Sequence, residues 1–147
     1  MNPELSQRHF EKDISPLSDA RLLNLRGWEI KRGTYPNLDV LFKKDGRDSV
    51  MICFECTGWP ETPPSIAVLT AQGATLNSPI KNSAFNHSPH PISGMVPFIC
   101  LPGSREYHLH SSHVSDLWEN HRHQETCRSL GKILERIWDA WLKAVNQ

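Results

Sequence analysis

Trp59-Pro60-Glu61-Thr62-Pro63-Pro64-Ser65-Ile66 is the stretch on which the reading of this chain turns. Its prolines mark a turn, because proline has no backbone N–H to give to a helix or a sheet ladder. On one side of it lies Val50-Met51-Ile52-Cys53-Phe54-Glu55-Cys56, a β-rich run, and on the other Ser65-Ile66-Ala67-Val68-Leu69-Thr70, a second one. Farther upstream Trp28 and Ile30 alternate with Glu29 and Lys31, and Leu38, Val40 and Phe42 alternate with Asp39 and Leu41. Lys44-Asp45-Gly46-Arg47 then supplies an Asp-Gly turn of the hairpin kind. Three to four consecutive strands joined by short turns imply an antiparallel meander, since parallel crossovers need longer connections.

The flanks complete the fold class. Pro3 to about Asp13 reads as a helix with a weak stripe of Leu5, His9 and Phe10, broken by Ser15-Pro16. Ser18 or Asp19 caps a second short helical piece through Leu22, Leu23 and Leu25 that ends at Gly27. Residues 77–97 carry four prolines and scattered asparagines without periodicity, and an irregular segment of that length is often functional. Phe98-Ile99-Cys100-Leu101 is a short apolar island, followed by a His-rich stretch from Tyr107 to His123 with Trp118 inside it. Leu130, Ile133, Leu134, Ile137, Trp138, Trp141, Leu142 and Val145 then follow helical spacing, with Lys132, Glu135, Arg136, Asp139 and Lys143 on the other face. The expectation is a single α+β domain over residues 1–147. It has an N-terminal helix, about four antiparallel strands, an irregular active-site loop and a C-terminal amphipathic helix.

Composition narrows the function. Lys+Arg and Asp+Glu both number 16, so there is no basic excess to meet the phosphates of a nucleic acid. No apolar run reaches the ~18 residues of a membrane helix, and the last helix mixes both charge signs on its polar face. The first thirteen residues lack an apolar signal stretch, so a cytoplasmic protein is expected. Four cysteines are too few for a disulfide scaffold. Cys53 and Cys56 spell C-x-x-C, but residues three apart on a strand face opposite ways and cannot share a metal or a disulfide. Cys127 has no evident partner.

Three landmarks stand in fixed order: the Trp59–Ile66 turn, His90-Pro91, and Phe98-Ile99-Cys100-Leu101, followed by a Trp and a closing helix. In this the chain resembles the ubiquitin-conjugating enzymes over about residues 1–145. That family has an aromatic-Pro-x-x-Pro-Pro turn, a His-Pro-Asn loop, a catalytic Cys followed by Leu, a downstream Trp-Ser-Pro and C-terminal helices. Two departures are plain. Ile92 stands where the family has Asn, and Trp118 lies farther beyond Cys100 than usual, with no Ser-Pro after it. Such divergence looks like the bacterial ubiquitin-conjugating-like proteins of phage-defence systems. The resemblance implies a thioester on Cys100, and as partners a ubiquitin-like protein, an ATP-using activating enzyme and an acceptor protein, with no cofactor of the chain's own. It also implies that the first helix and early strands, with Arg8, Lys12 and Arg21, dock the activating enzyme.

Seven of the eight histidines fall between His87 and His123. His90 precedes Cys100, and His108, His110 and His113 follow it as H-x-H-x-x-H. Three readings are open: proton acceptors or oxyanion donors at the thioester, zinc ligands, or surface and supporting residues. The spacing lacks the H-E-x-x-H helical pattern, so no metal is expected. With the Asn missing, at least one of the four is expected to act in discharge onto the amine, with Asn82, Asn86 or backbone amides as the other oxyanion donors. Two other function classes remain: a catalytically inactive binding module of the same fold, and an unrelated cysteine hydrolase.

Overall fold

The computed structural model describes residues 1–146. Helix α1 (Pro3–Ile14) starts on Asn2, whose side chain accepts from the backbone of Glu4 and Leu5. Ser15-Pro16 does not simply break the chain there. It runs on as a 3₁₀ turn, Ser15–Ser18, because proline is tolerated in a first helical turn. Helix α2 (Ala20–Arg26) is capped by Asp19 and closed by Gly27, whose φ of 74° is the left-handed conformation that glycine adopts without strain.

Strands β1 (Trp28–Thr34), β2 (Asn37–Phe42), β3 (Val50–Glu55) and β4 (Ser65–Thr70) form the expected antiparallel meander. The sheet does not stop at four. Two-residue strands β5 (Phe85–Asn86) and β6 (Phe98–Ile99) extend it to six in the order β1-β2-β3-β4-β6-β5. The "irregular" loop is thus tied to the sheet at two points, since backbone groups beside a buried strand need ladder partners. Lys44–Arg47 does form a turn, with Arg47 N–H donating to the Lys44 carbonyl at 3.1 Å.

One sheet face carries the core. Val40, Ile52 and Val68 are in cross-strand register, as are Leu38, Phe54 and Ile66, and all six are buried. Helix α4 (Leu130–Val145) lays its apolar stripe there, with Trp138 and Trp141 packed on Phe42 at ring distances of 5.0 and 5.7 Å. Cys53 faces the other way beside Asp39, where burial and that carboxylate push its thiol up to about 12. Cys56 is fully buried, and Cys127, for which the sequence offered no partner, lies in a turn with its side chain in the core and its Sγ donating to the Pro102 carbonyl at 3.4 Å.

The Trp59–Ile66 turn is the clasp of the molecule. Trp59 is 1% exposed and follows α1 through two bonds: Ser6 Oγ donates to its carbonyl at 2.8 Å, and its indole N–H donates to Asp13 Oδ2 at 2.9 Å. The same Asp13 oxygen accepts the Leu130 N–H at 3.0 Å, so one carboxylate holds the end of α1, the turn and the start of α4. Trp118 packs on Trp59 and donates to the Pro60 carbonyl at 3.0 Å. The Trp59–Pro60 peptide is cis. No helix among the described residues is long and apolar enough to cross a membrane.

Candidate active site

Cys100 follows β6 directly. Ile99 is in the core, Phe98 lies on the opposite side under the rings of His90 and His110, and the chain leaves the sheet at the cysteine. Its backbone N–H donates to the Ala84 carbonyl at 2.7 Å, which fixes the residue while its thiol stays partly exposed. Burial pushes the thiol up from its ordinary value, so it needs a base to ionise near neutral pH.

An imidazole stands beside it. His113 Nε2 is 3.8 Å from Cys100 Sγ. His113 belongs to a single 3₁₀ turn, Ser111–His113, that follows α3 (Arg105–Leu109). Helix α3 starts on Ser104, whose Oγ accepts the Tyr107 N–H and donates to the Ile99 carbonyl at 2.7 Å. The serine therefore ties the helix that precedes His113 to the strand that presents Cys100.

The four sequence-predicted histidines divide. His90 is 2% exposed: Nδ1 accepts the N–H groups of Ile92 (3.2 Å) and Ser93 (3.1 Å), and Nε2 donates to the Glu106 carbonyl at 2.7 Å. Both its nitrogens are engaged with backbone, and it shapes the loop. His108 is likewise committed, with Nε2 accepting from Gly103 N–H at 3.0 Å and Nδ1 donating to the Asp116 carbonyl at 2.9 Å. Burial holds its pKa below the usual imidazole range. His108 lies in the last turn of α3 and His110 caps its end. His110 ends α3 with Nδ1 accepting from Ser112 and its ring against Phe98, His90 and His113. Its Nε2 has no hydrogen-bond partner among the described residues. Asn82 and Asn86 spend their side-chain oxygens on Ala84 N–H and Ser88 N–H, both at 2.9 Å. Ile92 is 69% exposed. Among the described residues no three His, Cys, Asp or Glu side chains are grouped to hold a metal.

Two residues of the site carry no sequence signal of their own. Tyr107 stacks on the His113 ring at 4.0 Å and 21°, and its hydroxyl donates to Asp116 Oδ2 at 2.5 Å. That bond, more than burial, pushes the phenol up to about 12. Asp116 also accepts from His121 Nε2 at 2.6 Å, and the Tyr107 and His121 bonds hold its carboxyl below the usual range. The buried Glu106 lies on the far side of α3, with Oε1 accepting from Ser65 Oγ (2.7 Å) and Ile66 N–H (2.8 Å), and burial raises its pKa. It belongs to the clasp. A cavity of about 660 Å³ between Val50, Leu76, Ile80 and Trp141 contains none of these groups.

These features define a class: an α+β protein that presents a cysteine–histidine pair where a short strand leaves the sheet. The chain belongs to the Y4jH-like family, whose model matches residues 57–145, from just before the Trp59 turn to the last residue of α4. Among curated proteins nothing matches it.

Proposed function

We propose that this protein is a ubiquitin-conjugating-like acyl transferase in which Cys100 carries a ubiquitin-like protein as a thioester and hands it to an amine. The observation that carries the reading is the Cys100–His113 contact, seated downstream of the Trp59 turn and the His90-Pro91 loop in the order the resemblance implies. Further support comes from the N-terminal helix, the meander and the closing helix.

In loading, Sγ attacks the carbonyl carbon of the ubiquitin-like protein's C terminus, held as a thioester on an activating enzyme that has spent ATP. His113 Nε2 takes the Cys100 proton, the new C–S bond forms, and the activating enzyme's sulfur leaves and is reprotonated. In discharge the acceptor nitrogen attacks the same carbon, the C–N bond forms and the C–S bond breaks. The amine's proton passes to His113 and then to the departing Cys100 sulfur. A general base in this position contributes about two to four orders of magnitude. With Ile92 unable to donate to the oxyanion, and His90 and His108 bonded at both nitrogens, His110 Nε2 is the remaining side-chain donor of the four. A cytoplasmic setting and a role in bacterial phage defence belong to this same proposal.

The cysteine–histidine contact also suits a hydrolase, in which water replaces the amine. The experiment that separates the readings supplies a ubiquitin-like protein and its activating enzyme, with ATP. The transferase gives a thiol-sensitive adduct on the wild type, a thiol-resistant ester on Cys100→Ser and none on Cys100→Ala. Free acid in place of conjugated amine assigns the hydrolase, and an undiminished adduct on Cys100→Ala removes Cys100 from both. An inactive binding module gives partner binding with no adduct at all.

A further inference from the structure

Asp116 makes four bonds that converge on His113. Its backbone N–H donates to the His113 carbonyl at 2.9 Å, closing the turn that carries the imidazole. Its Oδ2 accepts from Tyr107, the ring on which His113 stacks. Its Oδ1 accepts from His121, and its carbonyl accepts from His108, which in turn takes the Gly103 N–H three residues beyond Cys100. Among the described residues the His113 ring has no other plane stacked on it: its remaining ring neighbour, His110, is tilted at 5.9 Å.

We propose that Tyr107 and Asp116 are positioning residues, a stacked phenol locked by a carboxylate that holds the His113 imidazole at Cys100. The proposal rests on the cysteine–histidine reading above and specifies how that histidine is aimed. In a familiar nucleophile–base–orienter arrangement a third group hydrogen-bonds the base directly. Here the carboxylate acts one ring away: it fixes the phenol, and the phenol fixes the imidazole by its face. Nδ1 of His113 has no partner among the described residues, so stacking and the turn beneath it supply the orientation. The geometry also explains why Asp116 is not a free carboxylate at the sulfur, since both of its oxygens are taken.

The titratable groups that bear on His113 are Cys100, Tyr107, His108 and His110, with Asp116 and His121 behind Tyr107 and Arg136 within electrostatic reach of the phenol. Their effects are separated by substitution in the full-length chain. Two readouts serve: the pH profile of Cys100 alkylation by iodoacetamide, followed on the Cys100 peptide by mass spectrometry, and the His113 ring C–H resonances. In the wild type those resonances are displaced by the Tyr107 ring current, and Cys100 alkylation has a limb that titrates with an imidazole. Tyr107→Phe keeps the ring but loses the lock, so the displacement shrinks and the imidazole limb weakens. Tyr107→Leu abolishes the displacement and slows alkylation at pH 7 by about tenfold, the equivalent of one pKa unit. Asp116→Ala, which leaves the stacked ring in place but removes the acceptor of its hydroxyl, reproduces the Tyr107→Phe profile. His113→Gln sets the floor for the series.

If Tyr107→Leu keeps the wild-type profile while His113→Gln loses the imidazole limb, the positioning role is overturned and the cysteine–histidine pair stands. If His113→Gln itself keeps the limb, the pair falls and the positioning role falls with it. A thermal melt of each variant distinguishes misaiming from unfolding. Where Tyr107→Leu does not fold, Tyr107→Phe and Asp116→Ala carry the test, and wild-type resonances and profiles in both overturn the proposal.

Discussion

Asp13→Ala removes a single side chain and should loosen three elements at once. Oδ2 accepts from the Trp59 indole and from Leu130 N–H, and both donors belong to residues that are essentially inaccessible. A buried donor left without a partner costs about 1–3 kcal/mol, so two cost about 2–6 kcal/mol. Against this stands the burial penalty of the carboxylate itself, visible in its raised pKa, which the substitution relieves. The net loss should be about 2–4 kcal/mol. At about 2–4 °C per kcal/mol for a domain of this size, the melting temperature should fall by about 5–15 °C. Asp13→Asn is the control. Because one oxygen takes both bonds, a carboxamide oxygen can keep them, and the loss should be about 1 kcal/mol or less. The pH dependence adds a sign. A carboxyl whose folded pKa is raised binds its proton more tightly folded than unfolded, so its contribution is best below the folded pKa and declines as pH rises through it. The stability difference between wild type and Asp13→Asn should therefore grow on acidification through the carboxylate range. Urea unfolding at constant m-value measures all three quantities. An Asp13→Ala variant within about 0.5 kcal/mol of wild type, the usual range for a surface change, or an Asn variant as unstable as the Ala one, would refute the reasoning.

Other outcomes are as definite. Gly27→Ala should destabilise by more than 1 kcal/mol, because its φ is 74° and an added Cβ would lie 2.5 Å from the Lys43 carbonyl oxygen; denaturant unfolding reads the shift directly. Acid should weaken the fold in two stages. His108, with a lowered pKa, favours the fold above about 6.5 and loses that contribution as pH falls. Asp116, also lowered, holds its contribution to a lower pH, so Asp116→Asn should flatten only the lower stage of a stability–pH curve. Reversing Arg8, Lys12 and Arg21, all exposed and outside every ion pair among the described residues, should leave the melting temperature within about 2 °C, since exposed charges contribute little. The same variant should slow adduct formation with the activating enzyme, and an unchanged rate would free that face from any docking role.

What the sequence made legible was whatever repeats with a period. The α4 stripe and the alternation in β2 and β3 are written in side chains that must all face one core, so their burial could be read directly. Asp19 and Gly27 were legible because helix ends have few chemical solutions. Strands β5 and β6 were not, since two residues carry no period and pair only because the rest of the sheet is already there. Ser104 had a weak signal, a serine ahead of an acidic first turn. Asp116 had none. Its importance comes from four contacts made inside an irregular segment, and nothing in its neighbours forecasts them. Cys127 looked isolated for the opposite reason: its polar sequence neighbours hide a position that α4 and Gly103 enclose. At the site, Cys100 stood out through its apolar island, whereas the choice among histidines depended on backbone partners that spacing cannot reveal.

The covering of the sheet by α4 has a consequence for synthesis. All four long strands precede that helix in the chain, so a growing polypeptide can complete its meander while Val40, Phe42, Ile52 and Val68 still face water. Until Trp138 and Trp141 leave the ribosome, Phe42 has Trp28 beside it but lacks the two rings that cover it from α4. Such a half-built sheet is a sticky object. A stop codon between Thr70 and Leu130 should therefore yield inclusion bodies or a chaperone-bound product.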